Sequence, residues 1–201
     1  RNGTMYSSYT AATFARKYEL AARQGVNFEG AVTWAFEFEN QPYFDGFRDL
    51  ATNGIDKPVL NIFRMFGLMG GERIKADSTS ALELAEMLKT GVKGAADINA
   101  LASRGDGQIS VILWNYHDDD KPAPDGAIDL AIRGLPLQVQ RALMQHYRID
   151  SSHSNSYTAW KSMNSPQQPT ADQYQQLEAA GQLQMLGSPA WIHVDEGTVK
   201  L

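Results

Sequence analysis

Glu37 and Glu39 follow directly on an unbroken apolar run, Gly30-Ala31-Val32-Thr33-Trp34-Ala35-Phe36, with Phe38 between them. In an extended chain, residues two apart point to the same side, so both carboxylates can address one ligand. Carboxylates placed like this accept hydrogen bonds from sugar hydroxyls or serve as general acid and base. The plainer reading is a solvated acidic loop. Trp34, on the same run, is either a plate for a ring to stack on or part of the core.

Other groups of reactive type carry less. His117-Asp118-Asp119-Asp120 contains metal-ligating residues, but consecutive side chains cannot all converge on one ion, and the spacing of a calcium loop is missing. With Pro122 and Pro124 following, a polar turn is expected there and no metal site. A nucleophilic triad assembled from Asp150, His153 and Ser154 would use near neighbours, which rarely supply that geometry, and no Gly-x-Ser-x-Gly turn occurs. Arg104-Gly105-Asp106 falls in an expected hairpin turn, where Gly and Asp belong anyway. Asn2-Gly3-Thr4 has the form of a glycosylation sequon, which has meaning only in a secretory host. No glycine-rich phosphate loop is present, and no cofactor is expected.

The composition bounds the class. Of 201 residues, 43% are hydrophobic and 20% charged, enough to build a core. A net charge of −5, without a Lys/Arg cluster, argues against nucleic acid. No apolar run approaches the length of a membrane span, so no membrane partner is expected. The lack of cysteine excludes disulfides and cysteine-ligated zinc, and leaves the compartment open. The first residue is Arg1, and the last, Leu201, falls inside what reads as an interrupted strand. A piece of a longer protein is expected.

The elements that must position the acids follow from periodicity. Residues 5–24 read as a helix, with Phe14, Tyr18 and Ala22 four apart and Gly25 as the stop. The apolar run at about 30–36, bounded by Gly30, reads as a strand buried on both faces, as in parallel sheets. Acids just past the carboxyl end of such a strand sit where α/β barrels build their active sites. A loop from Glu37 to Asp56 holds Phe38, Tyr43, Phe44 and Phe47, more rings than a loop carries unless they line something. Pro58 opens a helix whose Val59, Ile62, Phe63, Phe66 and Met69 share a face.

After Gly70-Gly71 the pattern changes. Ser80 and Glu83 read as a capping box for a short helix ending near Thr90-Gly91. Residues 96–103 and 108–116 read as a hairpin. Ile128, Leu130 and Ile132 alternate as in a half-buried strand, and Val139, Leu143, Tyr147 and Ile149 as one face of another. Thr170 and Gln173 cap a helix over about 171–181, and Trp191–Val194 with Thr198 onward reads as a final hairpin. Such a series of antiparallel strands suggests a β-sandwich.

Several segments, in order over essentially the whole chain, resemble the C-terminal half of glycoside hydrolase family 39, the family of bacterial β-xylosidases and α-L-iduronidase. They are Tyr6-Ser7-Ser8-Tyr9-Thr10-Ala11-Ala12, Thr33-Trp34-Ala35-Phe36, Lys57-Pro58-Val59-Leu60-Asn61 and Ser80-Ala81-Leu82. Val111-Ile112-Leu113-Trp114-Asn115-Tyr116-His117 and His153-Ser154-Asn155, followed by Pro169-Thr170, complete the set. The resemblance implies an α/β plus β fold, the last units of a (β/α)8 TIM barrel followed by a β-sandwich. Residues 1–70 would be the C-terminal part of the catalytic barrel and 72–201 the sandwich, incomplete at its C-terminus.

Members of that family are retaining hydrolases. Their acid/base is a Glu in an Asn-Glu-Pro context at the fourth barrel strand, and their nucleophile is a Glu ending the seventh. This chain has no Asn-Glu-Pro, and the nucleophile would fall before Arg1, so neither catalytic carboxylate is expected here. The loop after the last barrel strand contributes sugar-binding acids in the family. The resemblance therefore implies substrate binding by Glu37 or Glu39, without choosing between them, and a wall under the sugar ring from Trp34. The implied protein is part of a retaining, exo-acting β-xylosidase that cleaves terminal xylose from xylo-oligosaccharides. Its partners would be such a glycoside and the N-terminal remainder of the polypeptide, with a homo-oligomer left open. The alternative is a carbohydrate- or partner-binding sandwich module without catalysis of its own. The identity of the sugar stays open, as does a bacterial cytoplasmic, periplasmic or secreted location.

Overall fold

The computed structural model describes residues 2–46, 48–119 and 126–201. Phe47, Asp120 and the expected turn at Pro122 and Pro124 lie outside them. Helix α1 (Thr4–Gln24) ends at Gly25, where the Val26 N–H donates to the Ala21 carbonyl at 2.9 Å. Two short strands, β1 (Ala51–Thr52) and β2 (Ile55–Asp56), pair antiparallel as Thr52 with Ile55. Their turn is Asn53-Gly54, with φ of 48° and 77°. Both central residues at positive φ make the turn that matches strand twist, and Asn-Gly tolerates it best. Helix α2 (Pro58–Gly67) starts on Pro58, whose missing N–H costs nothing in a first turn. Val59 and Ile62 are buried, and Phe63, Phe66 and Met69 pack beside them, as the spacing predicts.

Strands β3 (Glu72–Ile74), β4 (Asp97–Gly105) and β5 (Gln108–Tyr116) form an antiparallel sheet in the order β3-β4-β5, and helix α3 (Leu84–Thr90) lies between β3 and β4 in sequence. The β4–β5 hairpin pairs Gly105 with Gln108 across Asp106-Gly107, whose φ values are 50° and 73°. Ile112, Trp114 and Tyr116 alternate inward on β5 while Leu113 is exposed. This inner face does not form a core of its own. Ile112, Trp114 and Tyr116 share one cluster with Ala11 and Ala12 of α1 and Val59 and Ile62 of α2. Rings tie the helices together: Phe14 lies 5.9 Å from Phe63 and 5.1 Å from Phe66.

The rest consists of short paired strands and two helices. They are β6 (Ala131–Arg133), β7 (Arg141–Met144), β8 (Tyr147–Arg148), α4 (Ser156–Ser162), α5 (Ala171–Gly181), β9 (Gln184–Met185), β10 (Ala190–His193) and β11 (Thr198–Lys200). The antiparallel pairs are β7 with β10, β6 with β11, and β8 with β9. Helix α5 opens on the Thr170/Gln173 capping box. Helices α4 and α5 cover a second core cluster in which Phe44, Ile55 and Leu177 meet Tyr157 and Trp160.

Several expectations change. The described strands do not close a barrel. Residues 30–36 are not a buried strand: Val32 is 99% exposed, and the segment's only bridge among the described residues joins Ala35 to Asp49 in parallel. A doubly buried strand needs a neighbour on each edge and a layer on each face, and these residues meet residues 49–51 along one edge, through Ala35 and the Phe36 carbonyl. The helix after Ser80 begins at Leu84 without a side-chain cap, because the Ser80 carbonyl is taken by the Ile98 N–H and its own N–H by Ser78 Oγ. Residues 139–149 break into β7 and β8, where the His146 carbonyl turns to accept from Leu186. The expected final hairpin is two strands that part company, β10 to β7 and β11 to β6, held to each other only by the Asp195–Thr198 bridge.

Candidate functional site

The Phe36 carbonyl fixes the run ahead of the acids, accepting from the N–H groups of Leu50 at 2.8 Å and Ala51 at 2.9 Å. Beneath that junction Asp49 and Lys57 form a buried ion pair, Oδ1 to Nζ, with side chains 4% and 1% exposed. Lys57 was legible only as the residue that opens α2, and its charge is consumed here. An uncompensated charge in either position would be costly, so the pair locks the β1–β2 hairpin to the start of α2.

On this base Glu37 and Glu39 line one open depression of about 500 Å³, together with Phe36, Phe38, Asn40 and Asn53. The two acids do different things. Glu37 Oε1 accepts from the Gly54 N–H at 2.9 Å, so it is tied to the tip of the β1–β2 turn. That turn is held from the other side by Tyr174 of α5, whose hydroxyl donates to the Asn53 carbonyl at 3.2 Å. Glu39 is exposed and has no hydrogen-bond partner among the described residues. The Tyr43 hydroxyl is raised above its ordinary pKa by burial first, then by Tyr174 and by the charge of Glu37.

Trp34 does not line the depression and is 85% exposed, so it is not core. It belongs to a stripe of alternate apolar residues, Val32, Trp34, Phe36 and Phe38, all turned to solvent. Asn40, Asn53 and Gly54 were not singled out in sequence. The Asn-Gly dipeptide is a strong hairpin signal and could have placed the turn beside the acids.

The remaining candidates resolve into structure. Asp118 accepts from the Val92 N–H and the Tyr116 hydroxyl, and the His117 ring accepts from the Asp119 N–H at 3.0 Å. No cluster suited to a metal ion occurs among the described residues. Asp150 and His153 do pair at 2.9 Å, but Ser154 is fully buried and its hydroxyl donates to the Arg148 carbonyl instead. There is no triad. Arg104 and Gly105 end β4 and Asp106 opens the β4–β5 turn, and Asn2 donates to the Phe44 carbonyl at 2.6 Å. No helix among the described residues is long and apolar enough to cross a membrane.

Comparison with known proteins agrees with the resemblance carried by the sequence. The family model for glycosyl hydrolases family 39 matches residues 4–191. The chain is 28% identical over 129 residues to an α-L-iduronidase of Mus musculus, covering 60% of this chain and 19% of that protein. It is 23% identical over 138 residues to a β-xylosidase of Geobacillus stearothermophilus, covering 69% of this chain and 23% of that protein. A crystal structure of a monomeric β-xylosidase from Caulobacter crescentus superposes with a TM-score of 0.69 at 19% identity, over 100% of this chain and 39% of that one. The chain thus spans about a fifth of the length of these curated relatives and shares its fold with the matching part of the solved enzyme. By the match over nearly all of its length, the chain belongs to glycosyl hydrolases family 39.

Proposed function

We propose that this chain is the C-terminal part of a retaining, exo-acting glycoside hydrolase, a β-xylosidase that removes terminal xylose from xylo-oligosaccharides. The observation that carries the reading is the placement of Glu37 and Glu39 on one open depression in a chain of family 39. In this reading residues 1–70 close a (β/α)8 barrel, residues 72–201 form most of a β-sandwich, and the catalytic carboxyls reside on polypeptide ahead of Arg1. The exposed stripe at Val32, Trp34, Phe36 and Phe38 supports it. Contiguous apolar surface of this kind marks a contact surface, and neighbouring barrel strands would cover it.

The acids then divide the work. Glu37, already bonded to the Gly54 N–H, sets the turn that floors the depression. Glu39, with no hydrogen-bond partner among the described residues, accepts the hydroxyls of the nonreducing sugar. Hydrogen bonds from neutral donors to a charged acceptor are the stronger kind, which suits a residue that must hold one sugar in register. The reaction is a double displacement. One carboxylate attacks the anomeric carbon while the other protonates the leaving oxygen, then deprotonates the water that releases the sugar, the pair standing about 5–5.5 Å apart. This chain supplies binding and orientation, and neither of those carboxyls.

The test is the whole protein that carries this chain, assayed on aryl β-xyloside and on aryl α-L-iduronide, with the anomer of the first-formed sugar read by NMR. Release of β-xylose with retained configuration is expected. Release of iduronate alone, or inverted xylose, overturns the reading.

A further inference from the structure

We propose that the ribbon formed by β7 and β10, with the groove beside it, is a second, non-catalytic binding surface for an oligosaccharide. In the β7–β10 register Trp191 pairs with Leu143 and His193 with Arg141. Side chains two apart on a strand share a face, and paired residues share it across the ladder. Trp191, His193, Leu143 and Arg141 therefore occupy one side of the ribbon, and all four are exposed. Trp191 is 61% exposed, unlike Trp114, which is 4% exposed. The Arg141 guanidinium stands 4.6 Å from the centre of the Trp191 ring. A guanidinium over an indole orients the ring without burying it, so the plate is held in place while much of its surface still meets water.

His193 also opens onto a depression of about 470 Å³ lined by Arg133, Asp195, Glu196, Thr198 and Lys200. This wall alternates donors with acceptors. Arg133, Lys200 and Thr198 can donate, and Asp195 and Glu196 accept. The two carboxylates offset the charges of Arg133 and Lys200, so the wall has no excess positive charge to favour a phosphate-bearing ligand. An apolar protein surface would strand five charged or polar groups without partners, at a cost for each. A pyranose chain suits both halves, since its C–H faces lie on an aromatic plate and its vicinal hydroxyls both donate and accept.

The ligand class rests on the glycosidase reading above, but the site does not, since it shares no residue with the depression at Glu37 and Glu39. The experiment titrates the whole protein that carries this chain with a thio-linked xylo-oligosaccharide, which a glycosidase does not cleave, by calorimetry, and follows the indole N–H signals by NMR, with Trp191→Phe identifying the signal of interest. Saturable binding that shifts the Trp191 signal is expected. Trp191→Ala should weaken the binding at this face about tenfold or more, while the midpoint of the Trp191 indole shift should be the same in Glu37→Ala and Glu39→Ala as in wild type. Trp191 is mostly exposed, so its truncation should leave the thermal midpoint nearly unaltered; if the variant unfolds, the wild-type indole shift still decides. Absence of binding overturns the proposal. So does binding that leaves the Trp191 signal still, or that Glu39→Ala abolishes, which would point to the other depression. Self-association that Trp191→Ala removes, without sugar binding, makes the face a protein interface and equally overturns it.

Discussion

Arg16 of α1 and Asp97 of β4 meet at 2.9 Å, and Asp97 is completely buried. This pair joins the helix expected to belong to a barrel to the sheet expected to belong to a sandwich. Asp97 also accepts from the Leu82 N–H at 3.0 Å and the Trp114 indole N–H at 2.9 Å, so one carboxylate holds three elements. Asp97→Ala would leave the indole and the guanidinium without their acceptor. Losing one partner of a buried pair costs about 3–5 kcal/mol, and urea unfolding should show a loss of that order. A loss below about 1 kcal/mol, the range of an exposed pair, would mean that the contact does not bind the two parts.

Lys57→Met keeps the length of the side chain and removes the charge opposite Asp49. Burial of both partners predicts a destabilisation of about 3–5 kcal/mol, and Asp49→Asn in the Lys57→Met background should restore part of it. Thermal unfolding of the two variants and the double variant reads this directly. Additive losses in the double variant would contradict the pairing.

Helix α5 matters to the depression through Tyr174, which braces the Asn53 turn. Its capping box is formed by Thr170 and Gln173. Thr170→Ala should cost about 1 kcal/mol, with hydrogen exchange at the Gly54 N–H rising as the brace loosens. Unchanged exchange at Gly54 would separate the helix from the turn.

Asp150 supplies a pH dependence. Burial pushes its pKa up, but the Ser152 N–H and the ring and N–H of His153 outweigh that and hold it below the ordinary value. Its folded pKa is thus below its unfolded pKa. The stabilisation is complete above the unfolded value, about 4, and is lost as pH falls through the folded value. The stability difference between wild type and Asp150→Asn should therefore stay constant above about pH 5 and shrink as the pH falls below about 4. A difference independent of pH would contradict the assignment.

Local chemistry was legible where short-range rules decide the outcome. The α1 stop at Gly25, Pro58 at the head of α2, the Thr170/Gln173 box and the turn at Asp106-Gly107 all depend on residues within a few positions of each other. Pairings set by distant segments were less legible. Helix α4 has a local start signal in its Asn155 cap, but it is short and its partly buried rings Tyr157 and Trp160 face Phe44, more than a hundred residues away. The run at 30–36 has the composition of a buried strand, but composition does not supply neighbours, and here Ala35 and Phe36 meet residues 49–51 along one edge. For the site, the sequence placed Glu37 and Glu39 together without ranking them. The Gly54 N–H that distinguishes them is a backbone group, invisible to side-chain pattern.

The proposed sugar site turns on Glu39. The measurement is kcat/KM on an aryl β-xyloside for the whole protein, as wild type and as Glu39→Ala and Glu37→Ala. Loss of charge-assisted hydrogen bonds to substrate should lower it about ten- to a hundredfold in Glu39→Ala, with a smaller loss in Glu37→Ala through the turn it anchors. Wild-type kcat/KM in both variants would contradict it.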